Sequence, residues 1–348
     1  MLQKRFWMLF SLALAIVAAA IVGTYTSLQD SVAARPPESV CWNQEATPIC
    51  YSQPVRLSNH KINALAVNPS GQTFVTASRD RIEVWDGQTG KRLRSLQGHK
   101  DWISALAISP NGTIIASASL DGTVKLWDLL GGKLLTTLDT DRVSTLAFSP
   151  DATTLAAGSR MLHWTDGRTS RGGIQLWDVA TQQLRGTLGS KAVNVIAFSP
   201  DGTLLAGGST ATQVWDLATQ KPGKTLNSGD LTALRFTPDG QTLVTGSSRI
   251  KLWLPTGQLV RTLPSGTLSL AFAPDGQTFA TAAGGTIYLW RSKTWQVFGS
   301  LRGSWYSGLL IGFAQEGQAL VSGSSDGLRL WRSQEQSARS PGKLAERR

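Results

Sequence analysis

The sequence predicts an all-β protein of seven similar units, each a four-stranded antiparallel sheet, and two observations carry that prediction. The first is a tryptophan that closes seven alike segments: IEVWD (Trp85), TVKLWD (Trp127), IQLWD (Trp177), TQVWD (Trp215), IKLWL (Trp253), IYLWR (Trp290) and LRLWR (Trp331). The second is a turn in phase with them: NPSG (68–71), SPNG (109–112), SPDA (149–152), SPDG (199–202), TPDG (237–240), APDG (273–276) and AQEG (314–317). Each turn lies 15 to 17 residues ahead of its tryptophan, except the third, at 27. Self-similarity at a steady spacing signals a repeat architecture.

Each unit can be justified in order. An apolar run such as VSTLAF or VNVIAF leads into the turn, where proline presets φ and glycine accepts a positive φ. A second run with small residues follows (TLLAGGS, QTLVTGS), then the strand ending in tryptophan, then a link such as GKLLTTL as the fourth strand. Units are about 37 to 42 residues long, and 50 in the third. The last unit ends at Trp331, and the tail RSQEQSARSPGKLAERR holds no fourth strand. SQPVRLSNH (52–60) resembles GKRLRSLQGH (90–99), so strand 53–57 is predicted to complete the last sheet and protect its edge.

These residues resemble the WD-repeat family of β-propellers, in the simple form found in bacterial, especially cyanobacterial, proteins. The resemblance covers residues 52–332 and implies seven four-stranded blades around a central channel, closed by the N-terminal strand. It also implies a His–Ser–Asp–Trp hydrogen-bond network. Blade 2 carries the full set, His99, Ser117, Asp121 and Trp127. In blade 1, His60 lies two residues nearer its turn and Asp80 is displaced by one; blade 7 has Ser322, Asp326 and Trp331 but Ser304 in place of the histidine. Blades 4, 5 and 6 lack the aspartate. The repeat explains this constellation structurally, although it looks like a hydrolase triad.

The N-terminus predicts a compartment. Lys4 and Arg5 precede an apolar run from Phe6 to Val22, which reads as one apolar helix over residues 1–23, either an uncleaved anchor or a cleaved signal. Either places the body outside the cytoplasm, in periplasm or thylakoid lumen, with membrane contact through residues 6–22 in the anchored case. Residues 24–51 then form an exported stalk, and 333–348 a disordered tail. Cys41 and Cys50, the only cysteines, can close a small loop in an oxidising compartment; two unpaired thiols are the alternative. Neither fits a zinc pattern.

The chain has 34 basic and 23 acidic residues, a formal charge of +11, which favours anionic partners. No GxSxG, phosphate loop or HExxH occurs, and among the innermost strands only Arg235 is charged, so no enzyme and no cofactor are expected. Departures from the repeat gather in loops that the fold would place on one face. They are Trp102 in HKDWIS, the stretch SRMLHWTDGRTSRGG (159–173) with Arg160, Trp164, Arg168 and Arg171, Trp305 and Tyr306 in GSWYSG, and Arg79 and Arg249. Aromatics mixed with arginines supply interface hot spots. The expected function is a monomeric, membrane-anchored scaffold docking an acidic or polar protein segment there. The alternatives are rings that pack only their own loops, a small-ligand or glycan binder stacking on the tryptophans, and, last, a propeller enzyme. Export argues against nucleic acid.

Overall fold

In the computed structural model, which describes residues 39–42, 49–160, 172–303 and 309–334, the strands fall into seven antiparallel sheets. Blade 1 is Ala64–Val67, Thr73–Ser78, Arg81–Asp86 and Arg92–Leu96, and blade 2 is Ile103–Ile108, Ile114–Ser119, Thr123–Asp128 and Leu134–Asp139. Blades 3 to 6 repeat the pattern, from Val143–Phe148 to Gln296–Arg302. Each innermost strand packs against the next, and that of blade 7, Leu310–Ala314, packs against Ala64–Val67 of blade 1, so the ring is closed.

Closure uses the N-terminal strand. Val55–Ser58 pairs antiparallel with the tryptophan strand Gly327–Gln334, Val55 opposite Leu330 and Arg56 opposite Arg329. Ile49–Ser52 extends the same strand further along, Tyr51 opposite Ser333, and pairs in turn with Ser39–Trp42. Part of the segment read as stalk is therefore sheet. The expected apolar helix over residues 1–23 lies outside the described residues. Among the described residues no helix is long and apolar enough to cross a membrane, and the one helix is a 3-10 turn, Gln315–Gly317.

The turns explain the frame. Gly202 has φ of 73°, left-handed backbone that glycine adopts without steric cost. In blade 3 the same place is held by Ala152 at φ 61°, a conformation that crowds its Cβ. Register shifts recur just before the tryptophan, as between Val84/Trp85, Leu126/Trp127 and Leu176/Trp177 against the outer strand. A bulge there re-aims the ring into the gap between blades.

The core lies between blades, not within them. Val75, Ile82 and Val84 of blade 1 pack with Ile103, Ile108 and Trp127 of blade 2 in one cluster. Burying each such aliphatic side chain contributes roughly 1.5–3 kcal/mol. Hydroxyls stitch the inner ring. Ser104 Oγ donates within its blade to the Ala118 carbonyl (3.2 Å) and across to Val143 of blade 3 (2.6 Å). Ser144 does the same towards Gly158 and Val193.

Candidate docking site on the loop face

Backbone bonds assemble the face that carries the loops. The Ile103 N–H, at the start of blade 2, donates to the Arg79 carbonyl in the loop after the second strand of blade 1 (2.7 Å). The bond recurs from Val193 to Ser159 (3.0 Å), from Thr267 to Ser247 (3.0 Å) and, at the ring closure, from Ile62 to Ser324 (2.9 Å). Loops that enter one blade are thus tied to loops that cross its predecessor.

Blade 2 holds the polar network that the sequence outlines. His99 Nδ1 lies 2.9 Å from Asp121 Oδ2, and Nε2 lies 2.8 Å from Ser117 Oγ. Trp127 Nε1 donates to the same oxygen (2.8 Å), so Ser117 turns its own proton to His99 Nε2, and Nδ1–H faces the carboxylate. Burial lowers the imidazole pKa, with Asp121 offsetting only part of it. Burial alone would raise Asp121; the Lys100 N–H, the Thr123 hydroxyl and His99 outweigh it and hold the carboxyl at about 2. The His99 side chain is 0% exposed and Ser117 is fully buried, so the triad-like set is sealed inside packing. In blade 7, Trp331 Nε1 likewise meets Ser322 Oγ (2.9 Å), while Asp326 is taken by Arg329 (2.7 Å).

Two of the residues singled out for docking come together. Trp102, 46% exposed, and Arg79 line one cavity of about 620 Å³ beside Lys61, whose Nζ stands 5.4 Å from the Trp102 ring centre. That geometry is a cation–π contact. Among the described residues, the Lys61 and Arg79 side chains make no ion pair or hydrogen bond. Arg160 is instead engaged, its Nε donating to Asn194 Oδ1 (2.7 Å). Arg249 is exposed on blade 5 and is not part of this cavity. Trp164, Arg168, Arg171, Trp305 and Tyr306 lie outside the described residues. Cys50 is buried and disulfide-bonded; the side chain of Cys41 lies outside the described residues.

The sequence reading missed Lys61, Arg81, Glu83 and Arg92, which line the same cavity. The signal was the misplaced His60, which marks a shortened link. Arg235 is open to water yet surrounded by protein; desolvation lowers its pKa, and Nη1 donates to the Leu234 carbonyl (2.9 Å). Among the described residues no group of three or more His, Cys, Asp or Glu could hold a metal ion.

The family described as "IFT122 first beta-propeller" matches residues 61–263, and the one described as "WD domain, G-beta repeat" matches 257–291. The chain is 40% identical over 94 residues to the small ribosomal subunit protein RACK1y of Oryza sativa subsp. japonica, covering 26% of this chain and 28% of that one. It is 36% identical over 107 residues to eukaryotic translation initiation factor 3 subunit I of Pyricularia oryzae, covering 30% and 31%. Over 107 residues it is 34% identical to the periodic tryptophan protein 2 homolog of Schizosaccharomyces pombe, covering 29% and 12%. The match thus spans less than a third of each of these relatives. They also correct two expectations. These relatives are eukaryotic, not bacterial. Their names point to the small ribosomal subunit and to translation initiation, against a body in periplasm or thylakoid lumen.

Proposed function

Because the chain belongs to the WD-repeat β-propeller family, we propose that it is a non-catalytic scaffold that docks a partner protein on the loop face around Trp102 and Arg79. The observation that carries this reading is the pairing of a half-exposed tryptophan with two cations, Lys61 and Arg79, that make no ion pair or hydrogen bond among the described residues, at one cavity. A large rigid ring beside unpaired charge is the composition of an interface hot spot. Two relatives are, by their names, components of larger assemblies, a ribosomal subunit and an initiation factor, which is the same kind of work.

A catalytic role finds no support in the geometry. The His99–Ser117–Asp121 set is enclosed and its serine oxygen is already occupied by Trp127. Arg235 stands alone, and one cation without an acid–base partner makes no catalytic centre. A small-ligand reading rests on the cavity volume of about 620 Å³ beside an exposed indole, a size that suits one. We also propose that Cys50 pairs with Cys41, since the chain has two cysteines.

The test is crosslinking and capture from a native extract, comparing wild type with a Trp102→Ala/Arg79→Ala variant of equal thermal stability. A protein captured by wild type and lost from the variant supports docking at this face. An identical set of captured proteins overturns it, and capture of none by either moves the case to the small ligand.

A further inference from the structure

Blade 1 differs from blade 2 at the place where blade 2 packs His99. The link from the outer strand of blade 1, ending at Leu96, to the bonded Ile103 is Gln97–Trp102, six residues. The link from the closing strand, ending at Ser58, to the equivalent Ile62 is Asn59–Lys61, three residues. Blade 2's longer link carries His99 inward to Ser117 and sets Gly98 against the Trp127 ring, where an added Cβ would come within 2.9 Å. The shorter link cannot reach. His60 stays exposed, with its N–H on Ser58 Oγ (3.1 Å), and Trp85 Nε1 bonds to Thr76 with no histidine above it.

What the shorter link leaves uncovered is a trough. The cavity of about 620 Å³ at Trp102 shares Asn59, His60, Glu83 and Arg92 with a second of about 680 Å³ that runs along Arg56, Trp85 and Gly90. Together they follow the seam where blade 7 meets blade 1. The walls are cationic. Glu83, buried, is neutralised by Arg92 (3.0 Å), and with its amide turned to accept, Gln97 takes Arg81 (2.7 Å). Arg56 donates to the Asp326 carbonyl. Among the described residues Lys61 and Arg79 at the Trp102 end make no ion pair, Lys61 resting only against the indole face, and Asp80 is the one acid of the trough without an ion pair.

We infer that this seam trough receives an extended acidic segment of the partner, its carboxylates on Lys61 and Arg79 and an apolar side chain on the Trp102 ring. The inference rests on the docking reading above and specifies its chemistry. Charge complementarity chooses the occupant: two cations, Lys61 and Arg79, outnumber the one unpaired acid, Asp80, and the buried Glu83 is already paired. In blade 2 His99 fills the equivalent place, and the trough follows the shorter link at the ring closure.

Fluorescence anisotropy with a labelled Glu/Leu peptide tests it, with a Lys/Leu peptide as the reversed probe. Wild type binds the acidic peptide and not the basic one, and binding weakens as salt rises. Lys61→Glu/Arg79→Glu weakens binding roughly tenfold or more, and Lys61→Gln/Arg79→Gln less. Lys191→Glu/Lys293→Glu, the same charge change elsewhere, leaves binding within about twofold. All substituted side chains are exposed, and matched melting curves confirm folding. Equal loss in both glutamate variants, or no binding by wild type, overturns the inference. If the native partner still needs Trp102 while the acidic peptide fails to bind, the trough inference falls and the docking reading stands. If capture ignores Trp102, the docking reading itself falls.

Discussion

Blades 2 and 3 share a frame and differ in what fills it. In blade 2, Lys125 faces Ser117 across the sheet, and that serine satisfies Trp127 and His99. In blade 3, Gln175 faces Ala157 in the same register, so the hydroxyl is missing. Trp177 Nε1, Gln175 Oε1 and Ser159 Oγ are buried there without hydrogen-bond partners among the described residues. The strand order and the shift before the tryptophan are nonetheless the same in both. The frame therefore does not need the network. What the network does is bind the crossing loop down: Asp121 accepts from Lys100 N–H (2.9 Å) and Thr123 N–H (3.0 Å), fixing a tight turn. Blade 3, which lacks that tie, is the blade with the long insertion.

The comparison is broken most severely by Ser117→Ala. It orphans the Trp127 N–H and His99 Nε2 together, and a buried unsatisfied group costs about 1–3 kcal/mol, so a loss of about 2–6 kcal/mol is expected. Chemical denaturation measures it. Next comes pH. The unfolded chain protonates histidine near its usual 6.5, whereas His99 is held below that value, so its contribution is intact above 6.5 and is lost as pH falls. Asp121 adds a further loss from 3.8 down to about 2. Stability measured from pH 7.5 to 5 should rise with pH in wild type, and His99→Gln should flatten that slope.

Smaller effects sharpen the comparison from the other side. Ala157→Ser supplies the absent acceptor for Trp177 and should stabilise by about 0.5–1.5 kcal/mol, and destabilisation would show that the oxygen has no room. Ala152→Gly relieves the left-handed turn of blade 3, and about 0.5–1 kcal/mol is expected as a rise in melting temperature. The same change gains nothing at turns that already hold glycine.

The frame was legible because its signals are local. A proline–acid–glycine turn and an apolar alternation describe strands wherever they stand, and Val55-Arg56-Leu57 could be matched to an outer strand by likeness alone. The blade 2 network was readable for the same reason, with all four members present at repeat positions. The trough was not, because it arises from residues that are absent. A link three residues shorter has no motif, and its consequence, an unfilled seam beside Lys61 and Glu83, exists only once two blades are packed. Export was read from the apolarity of one segment, and the relatives point elsewhere. Arg160 shows another limit: a loop arginine looks available in sequence, yet here it is spent on Asn194.

The closing strand has a kinetic meaning. Arg56 meets the Asp326 carbonyl across 270 residues of chain, so the first strand of the ring can be seated only after the last blade exists. Bringing such distant points together carries an entropy cost that grows with the logarithm of the separation, about 5 kcal/mol at this length before any constant. An open stack of repeats can grow from either end and fray there. This ring has no end to fray, and the chain emerging from synthesis must keep an unpaired strand waiting until its partner arrives.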